Sequence, residues 1–240
     1  NVMPAEIQYG LLRQCFRKIR VPYRNAEMLK GAFTDISACA NSGYEPNKFH
    51  PVSVDRSIFP ALFAAYQEAK HEAGYLDFDD MLSYTYELFK ERPDILALWQ
   101  NKYKYILIDE FQDINRLQYE IIKMLAAPQN NLFIVGDDDQ SIYRFRGSKP
   151  EIMLGFEKDY PDAKRILLDT NYRCGRYIVE ASLNLISHNR ERFDKKIIAA
   201  SKSKAPVTFA DFENRRDENI FLIRDIDKKI KAGAVFSDFA

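Results

Sequence analysis

The sequence predicts an α/β protein in which a parallel sheet follows a large block of helices. Three apolar runs, Tyr105-Ile106-Leu107-Ile108, Leu132-Phe133-Ile134-Val135 and Ile166-Leu167-Leu168, each end in acidic residues or in Gly and acids. Stretches of helical spacing separate these runs. Upstream of about residue 100 no such run occurs, and the apolar positions repeat as they do on helices.

In the upstream block, helices are predicted over residues 5–20, 26–40, 57–73 and 77–90. Asn41-Ser42-Gly43 stops the second and Gly74 closes the third, since glycine enters the left-handed region at helix ends without a Cβ penalty. Pro93 lies just beyond the fourth, whose Met81, Leu82, Leu88 and Phe89 fit one broad apolar face. Further on, helices are predicted over 115–126, ended by Pro128, and over 151–158. The stretch 206–212, with a helix over 216–231, opens another α/β unit. Continuous apolar strands joined by helices indicate a parallel sheet covered on both faces. In such sheets the crossovers are right-handed and function gathers at the carboxyl ends of the strands.

With 240 residues, 46% of them hydrophobic, the chain can bury a sizeable core. Thirty-five basic side chains balance 35 acidic ones, so any nucleic-acid surface is a local one. Cys15, Cys39 and Cys174, odd in number and widely spaced, read as reduced thiols rather than a disulfide framework or a zinc site. His50, His71 and His188 are equally scattered. No apolar run approaches the ~18–20 residues of a membrane span, and no signal-peptide layout opens the chain. The reading is a cytoplasmic protein with no membrane partner. Asn1 at the start, and an end inside the apolar stretch 234–240, point to a piece of a longer chain.

Three polar strings follow the three apolar runs. The first is Asp109-Glu110-Phe111-Gln112-Asp113. An acid fixed by a strand end is well placed to hold magnesium, which takes one or two carboxylates plus water and phosphate oxygens. A neighbouring acid can deprotonate an attacking water. The plainer reading is a strand ending in turn-forming and helix-capping acids. The second string runs from Gly136 through Asp137-Asp138-Asp139-Gln140-Ser141 to Ile142-Tyr143-Arg144-Phe145-Arg146-Gly147-Ser148. Three adjacent acids are costly without a cation or solvent. The Gln140 amide can meet a phosphate oxygen or a water. Aromatic rings alternating with arginines suit single-stranded nucleic acid, where bases stack and guanidinium groups meet phosphates. An acidic turn before an edge strand explains the acids but not the whole string. The third string is Leu168-Asp169-Thr170-Asn171-Tyr172-Arg173, whose Arg can stabilise charge on a transferring phosphate.

In this order and spacing the three strings resemble the superfamily-one DNA helicases of the UvrD, Rep and PcrA type. The first resembles their magnesium-binding Walker B element, the second their third motif and the third their fourth. Asp77-Phe78-Asp79-Asp80-Met81-Leu82 resembles a stretch that precedes the Walker B strand. The likeness is firm over about residues 75–175. It implies a partial RecA-like P-loop NTPase sheet with a large helical insertion domain. Residues 1–100 would be mostly that insertion, 101–170 the returning half of the first motor domain, and 171–240 the start of the second. It further implies ATP and magnesium as cofactors. Asp109 would hold the metal, Glu110 would be the general base, and Gln112, Gln140 and Arg173 would contact nucleotide. Gln140 would sense the γ-phosphate and Arg173 would reach it from the seam between motor domains. Tyr143, Phe145 and Arg146 would face single-stranded DNA, with single-strand/duplex junctions as the substrate and 3′-to-5′ movement. Phe145 stands where many relatives carry Trp, and a π-face remains for stacking.

A motor of this kind also needs the loop G-x-x-x-x-G-K-[ST] to hold the phosphates. None of the nine glycines is followed by Lys. The phosphate loop and the rest of the second motor domain are therefore expected elsewhere in the longer chain, and this stretch alone is expected to be inactive. Two rivals stand beside the helicase reading. One is a helicase-like binding module without catalysis; intact Glu110 and Gln140 argue against it. The other is a metal-dependent nuclease or phosphotransferase using Asp109, Glu110, Asp137 and Asp138, which the aromatic–arginine string fits less well. Arg13, Arg17 and Arg20 would share a face of the first helix, a solvated face in the simpler reading and a duplex contact in the other. Tyr9, Cys15 and Phe16 read as packing residues.

Overall fold

The computed structural model describes residues 2–141, 149–203 and 205–239. Two compact units emerge, Asn1–Arg165 with Glu191–Phe193, and Ile166–Arg190 with Asp194–Ala240.

The first unit begins with helices α1 (Ala5–Lys18), α2 (Ala26–Ser42), α3 (Phe59–Glu72), α4 (Phe78–Glu91) and α5 (Pro93–Lys102). Leu12, Cys15 and Phe16 of α1, Leu29, Ala32, Ile36 and Cys39 of α2, and Phe59, Leu62 and Tyr66 of α3 form one closed core. Burial pushes both the Cys15 and the Cys39 thiol up to about 11, so neither is a ready nucleophile. Asn25 caps α2 by accepting from the Met28 amide, and Gly43 closes it at φ 73°. Pro93 does not merely follow α4: it opens α5, because a missing N–H costs nothing in a first helical turn. Helix α1 stops at Lys18, and Arg20 has a positive φ of 58°, so Arg20 does not share a helical face with Arg13 and Arg17. The broad face expected on α4 is buried only in part: Phe89 is inside, while Met81 and Leu88 are exposed.

Strand β1 (Ile106–Ile108) pairs in parallel with β2 (Leu132–Ile134), Ile108 opposite Ile134, and α6 (Arg116–Ala126) makes the crossover. Helices α7 (Pro150–Leu154) and α8 (Phe156–Asp159) replace the single helix expected over 151–158, broken at Gly155. Ile108, Leu132 and Ile134 pack on Phe111, Ile114, Tyr119 and Phe156. The opposite face carries Leu107 and Phe133, 71% and 57% exposed. The expectation of a sheet covered on both faces is thus met on one face by the described residues.

In the second unit, β3 (Thr170–Gly175) pairs in parallel with β4 (Ile198–Ser201), with a register break between Asn171 and Gly175. Helix α9 (Arg176–Ile186) packs on both strands, and α10 (Arg215–Lys231) follows. Ile166-Leu167-Leu168, expected as the third strand, is not a strand, and all three side chains are exposed. The pairing begins just beyond it, where Ile198 N donates to Asp169 O and Thr170 lies opposite Ile198. No strand forms over 206–212.

Candidate functional site

Parallel pairing of β1 and β2 brings their carboxyl ends together, and the polar strings that follow each strand meet there. Phe111 N donates to Val135 O at 2.9 Å, tying the first string to the end of β2. Between β1 and Phe111 the chain turns through Glu110 at φ 50°, ψ 41°, left-handed backbone that costs a non-glycine residue about 1 kcal/mol or more. The Asp109 carboxylate accepts from the Glu110 amide at 2.9 Å and supports that turn. Asp109 and Glu110 are both exposed.

Gln112 is buried and joins the two strings. Its Nε2 donates to Glu110 Oε2 at 2.8 Å, and its Oε1 accepts from Asp137 N at 3.0 Å. Asp137 Oδ2 in turn accepts from Gln140 Nε2 at 2.7 Å. A continuous hydrogen-bonded chain therefore runs Glu110–Gln112–Asp137–Gln140. The sequence made Gln112 a nucleotide contact; here the protein itself engages both ends of its amide. Gly136 suits this crossing. A Cβ there would stand 2.6 Å from Gln112 Oε1, too close for any side chain, and 3.1 Å from Phe111 N, a tight contact. Asp113 lies beside the chain with Oδ1 buried and, among the described residues, without a hydrogen-bond partner. Burial first, and the Glu110 charge second, push its carboxyl above the ordinary range.

The acids of the second string are individually engaged. Asp137 caps the 3-10 turn Asp138–Gln140 by accepting from Asp139 N. Asp138 Oδ2 accepts from Phe193 N at 2.8 Å, and Asp139 is gripped by Arg192 through Nε at 2.8 Å and Nη2 at 2.6 Å. The cation that three adjacent acids call for is thus, in part, Arg192, which no local pattern announced. Asp137 and Asp138, the second carboxylate pair of the nuclease reading, thus both accept hydrogen bonds from the protein itself. Among the described residues no group of three or more His, Cys, Asp or Glu is arranged to hold a metal. The carboxylate of Asp109, exposed at a strand end, fits magnesium that keeps waters and phosphate oxygens for its other ligands.

In the stretch 77–82, Asp77 and Asp80 are buried and Asp79 half-buried, while Phe78 and Met81 are exposed. Asp77 and Asp80 cap α4 reciprocally and both accept from Lys70 Nζ, at 2.6 and 2.7 Å. Asp79 accepts from Asn41 Nδ2 at 2.6 Å, and Asn115 Nδ2 donates to Asn41 Oδ1 at 3.0 Å. Asn115 is also the N-cap of α6, two residues past Asp113. Burial, the larger effect, raises the Asp79 carboxyl, and the Asn41 hydrogen bond opposes it.

Arg173 lies in the second unit, on β3, exposed and without an ion pair among the described residues. Asn171 Oδ1 accepts from Arg173 N and Cys174 N, which accounts for the register break there. Tyr143, Phe145 and Arg146 lie outside the described residues. No helix among the described residues is long and apolar enough to cross a membrane.

The family model described as the UvrD/REP helicase N-terminal domain matches residues 7–161. YjcD of Bacillus subtilis, provisionally named an ATP-dependent DNA helicase, is 46% identical over 200 residues, which is 82% of this chain and 26% of that protein. The ATP-dependent DNA helicase PcrA of Staphylococcus epidermidis is 38% identical over 196 residues, again 82% of this chain and 26% of the relative. PcrA of Staphylococcus aureus is 40% identical over 179 residues, 75% of this chain and 24% of the relative. The chain thus spans about a quarter of the length of each of these relatives.

Proposed function

The chain belongs to the UvrD/REP helicase family, and from that premise we propose that it forms part of an ATP-driven motor that moves 3′ to 5′ on single-stranded DNA and opens single-strand/duplex junctions. The observation that carries the reading is the buried Gln112 bridge, which links the acid pair after β1 to the Gln140 string after β2. A hydrolysis centre needs these groups held in register, and the Gln112 bridge holds them so.

In this reading Asp109 holds magnesium, which when bound neutralises charge on the phosphate oxygens. Glu110 is the general base. Gln112 occupies Oε2 of its carboxylate, leaving Oε1 to take a proton from the attacking water. Gln140, exposed and tethered to Asp137, offers the rest of its amide to the γ-phosphate. A change at the phosphate then reaches Glu110 through Asp137 and Gln112 without a large backbone movement. Arg173 supplies a second cationic contact to the γ-phosphate. Tyr143, Phe145 and Arg146, directly downstream of Gln140, face the DNA strand, so nucleotide state and strand contact share one segment. Residues 1–100 serve as a helical insertion, 101–170 as half of the first motor domain and 171–240 as the start of the second. The exposed Leu107–Phe133 face supports further elements of the longer chain packing there, among them the phosphate-gripping loop this sequence lacks.

The test is DNA-stimulated ATP hydrolysis by the whole protein, wild type against Glu110→Gln. The expectation is a loss of roughly 10²–10⁴-fold in kcat, the scale of a general base, with DNA affinity kept. The isolated 240-residue chain should hydrolyse no ATP. A Glu110→Gln protein that hydrolyses at the wild-type rate would remove Glu110 from the role.

A further inference from the structure

The acid turn after β2 is held from a distant part of the sequence. Glu191–Phe193, between α9 and β4 in the sequence, is part of the first compact unit. Arg192 makes two near-parallel hydrogen bonds to Asp139, Nε to Oδ1 and Nη2 to Oδ2. The pair is largely withdrawn from solvent, with side-chain exposures of 17% for Arg192 and 15% for Asp139. A two-point guanidinium–carboxylate contact fixes orientation as well as distance, which a lysine cannot do. One residue further on, Phe193 N donates to Asp138, and the Arg165 guanidinium lies 4.8 Å from the Phe193 ring centre. Three contacts therefore pin a segment of two residues to the turn Asp138–Gln140. Gln140 directly follows the gripped Asp139, and its backbone amide closes the turn on Asp137 O at 2.9 Å.

We propose that Arg192 is a positioning residue for Gln140: by clamping Asp139 it fixes the 3-10 turn from which the Gln140 amide is presented to the γ-phosphate. The proposal rests on the ATP-hydrolysing reading above and adds to it a residue outside the matched family domain, which ends at residue 161. Arg192 touches no reacting atom in this role. Its loss leaves the Gln140 side chain intact but lets the turn that carries it drift, and it leaves Asp139 without its bidentate partner.

The test uses the whole protein and steady-state ATP hydrolysis with saturating single-stranded DNA. Wild type is compared with Arg192→Ala, Arg192→Lys and Asp139→Asn, each also on a Gln140→Ala background, with melting temperatures recorded. The expectation is a kcat loss of about 10-fold for Arg192→Ala and a similar loss for Asp139→Asn, with Arg192→Lys in between. On the Gln140→Ala background the Arg192→Ala effect should shrink below about 2-fold, because residues acting as a unit are not additive. Asp139→Asn carries the same test should Arg192→Ala fail to fold. A lowered melting temperature with unchanged kcat overturns the proposal, as does a full kcat loss persisting on the Gln140→Ala background. If the wild-type protein shows no DNA-stimulated hydrolysis, the functional reading itself fails and this inference falls with it. If wild type is active and Arg192→Ala matches it, only the inference falls.

Discussion

At the scale of single residues, the candidate site is an exercise in close approach. Gly136 sits where two strand-end strings cross, and it is glycine because the Gln112 carboxamide occupies the space a side chain would take. Gly136→Ala should displace the bridge and lower stability by about 1–3 kcal/mol, as overpacking does, with a larger proportional loss of ATP hydrolysis; urea unfolding and the hydrolysis assay check the two parts. Asp113 gives a pH signature. Its folded-state carboxyl is raised by burial, so the native protein holds that proton more tightly than the unfolded chain. The charged form then penalises the native state above the raised value, and the penalty disappears as pH falls through it. Asp113→Asn should raise the melting temperature at neutral pH, with the gain vanishing as pH falls into the ordinary carboxylate range; a gain that is flat with pH would contradict the sign. The acids, Gln140 and Gly136 could be read from the sequence because they cluster beside apolar runs. Arg192 could not, since 53 positions separate it from Asp139 and nothing local marks it.

At the scale of elements, the helices were the most legible, because caps and glycine stops are local chemistry: Asn25, Gly43, Asp77 and Asn115 each sit where the helix end needs them. The exceptions have physical causes. Pro93 marks a helix start as readily as a stop, so α5 was hidden behind the proline. Ile166-Leu167-Leu168 has strand composition, but pairing partners decide a strand, and the ladder with β4 begins at Thr170. The junction α2–α4–α6 was visible only as the string 77–82; its partners Lys70, Asn41 and Asn115 come from other elements. Asn41→Leu would leave the Asp79 carboxylate and the Asn115 amide without their shared partner. The expected cost is about 2–3 kcal/mol, read as a lower urea midpoint at unchanged slope. A shift under about 0.5 kcal/mol would show that solvent replaces the junction.

At the scale of the whole molecule, one relation organises the first unit: a parallel strand pair brings two strings to one edge, and a buried amide joins them. The helical block reaches that edge through Asn41 and Asn115, whose cap starts α6 just past the first string. The half-covered β1–β2 sheet and the missing phosphate loop both fit a motor completed by other parts of a longer chain. The family could be read from motif order, whereas the internal wiring depended on which side chains the fold brought into contact. In the proposed motor, Gln112 is what makes the two strings one hydrolysis centre. The direct measurement is DNA-stimulated ATP hydrolysis by the whole protein carrying Gln112→Ala, with kcat and KM for ATP determined separately and a melting curve on the same sample. A kcat reduced by about 10–100-fold, with KM changed less than about 3-fold, is the expected result for an interaction that acts on the chemical step. A folded Gln112→Ala protein with wild-type kcat would contradict it, and the two strings would then be neighbours in space without acting together.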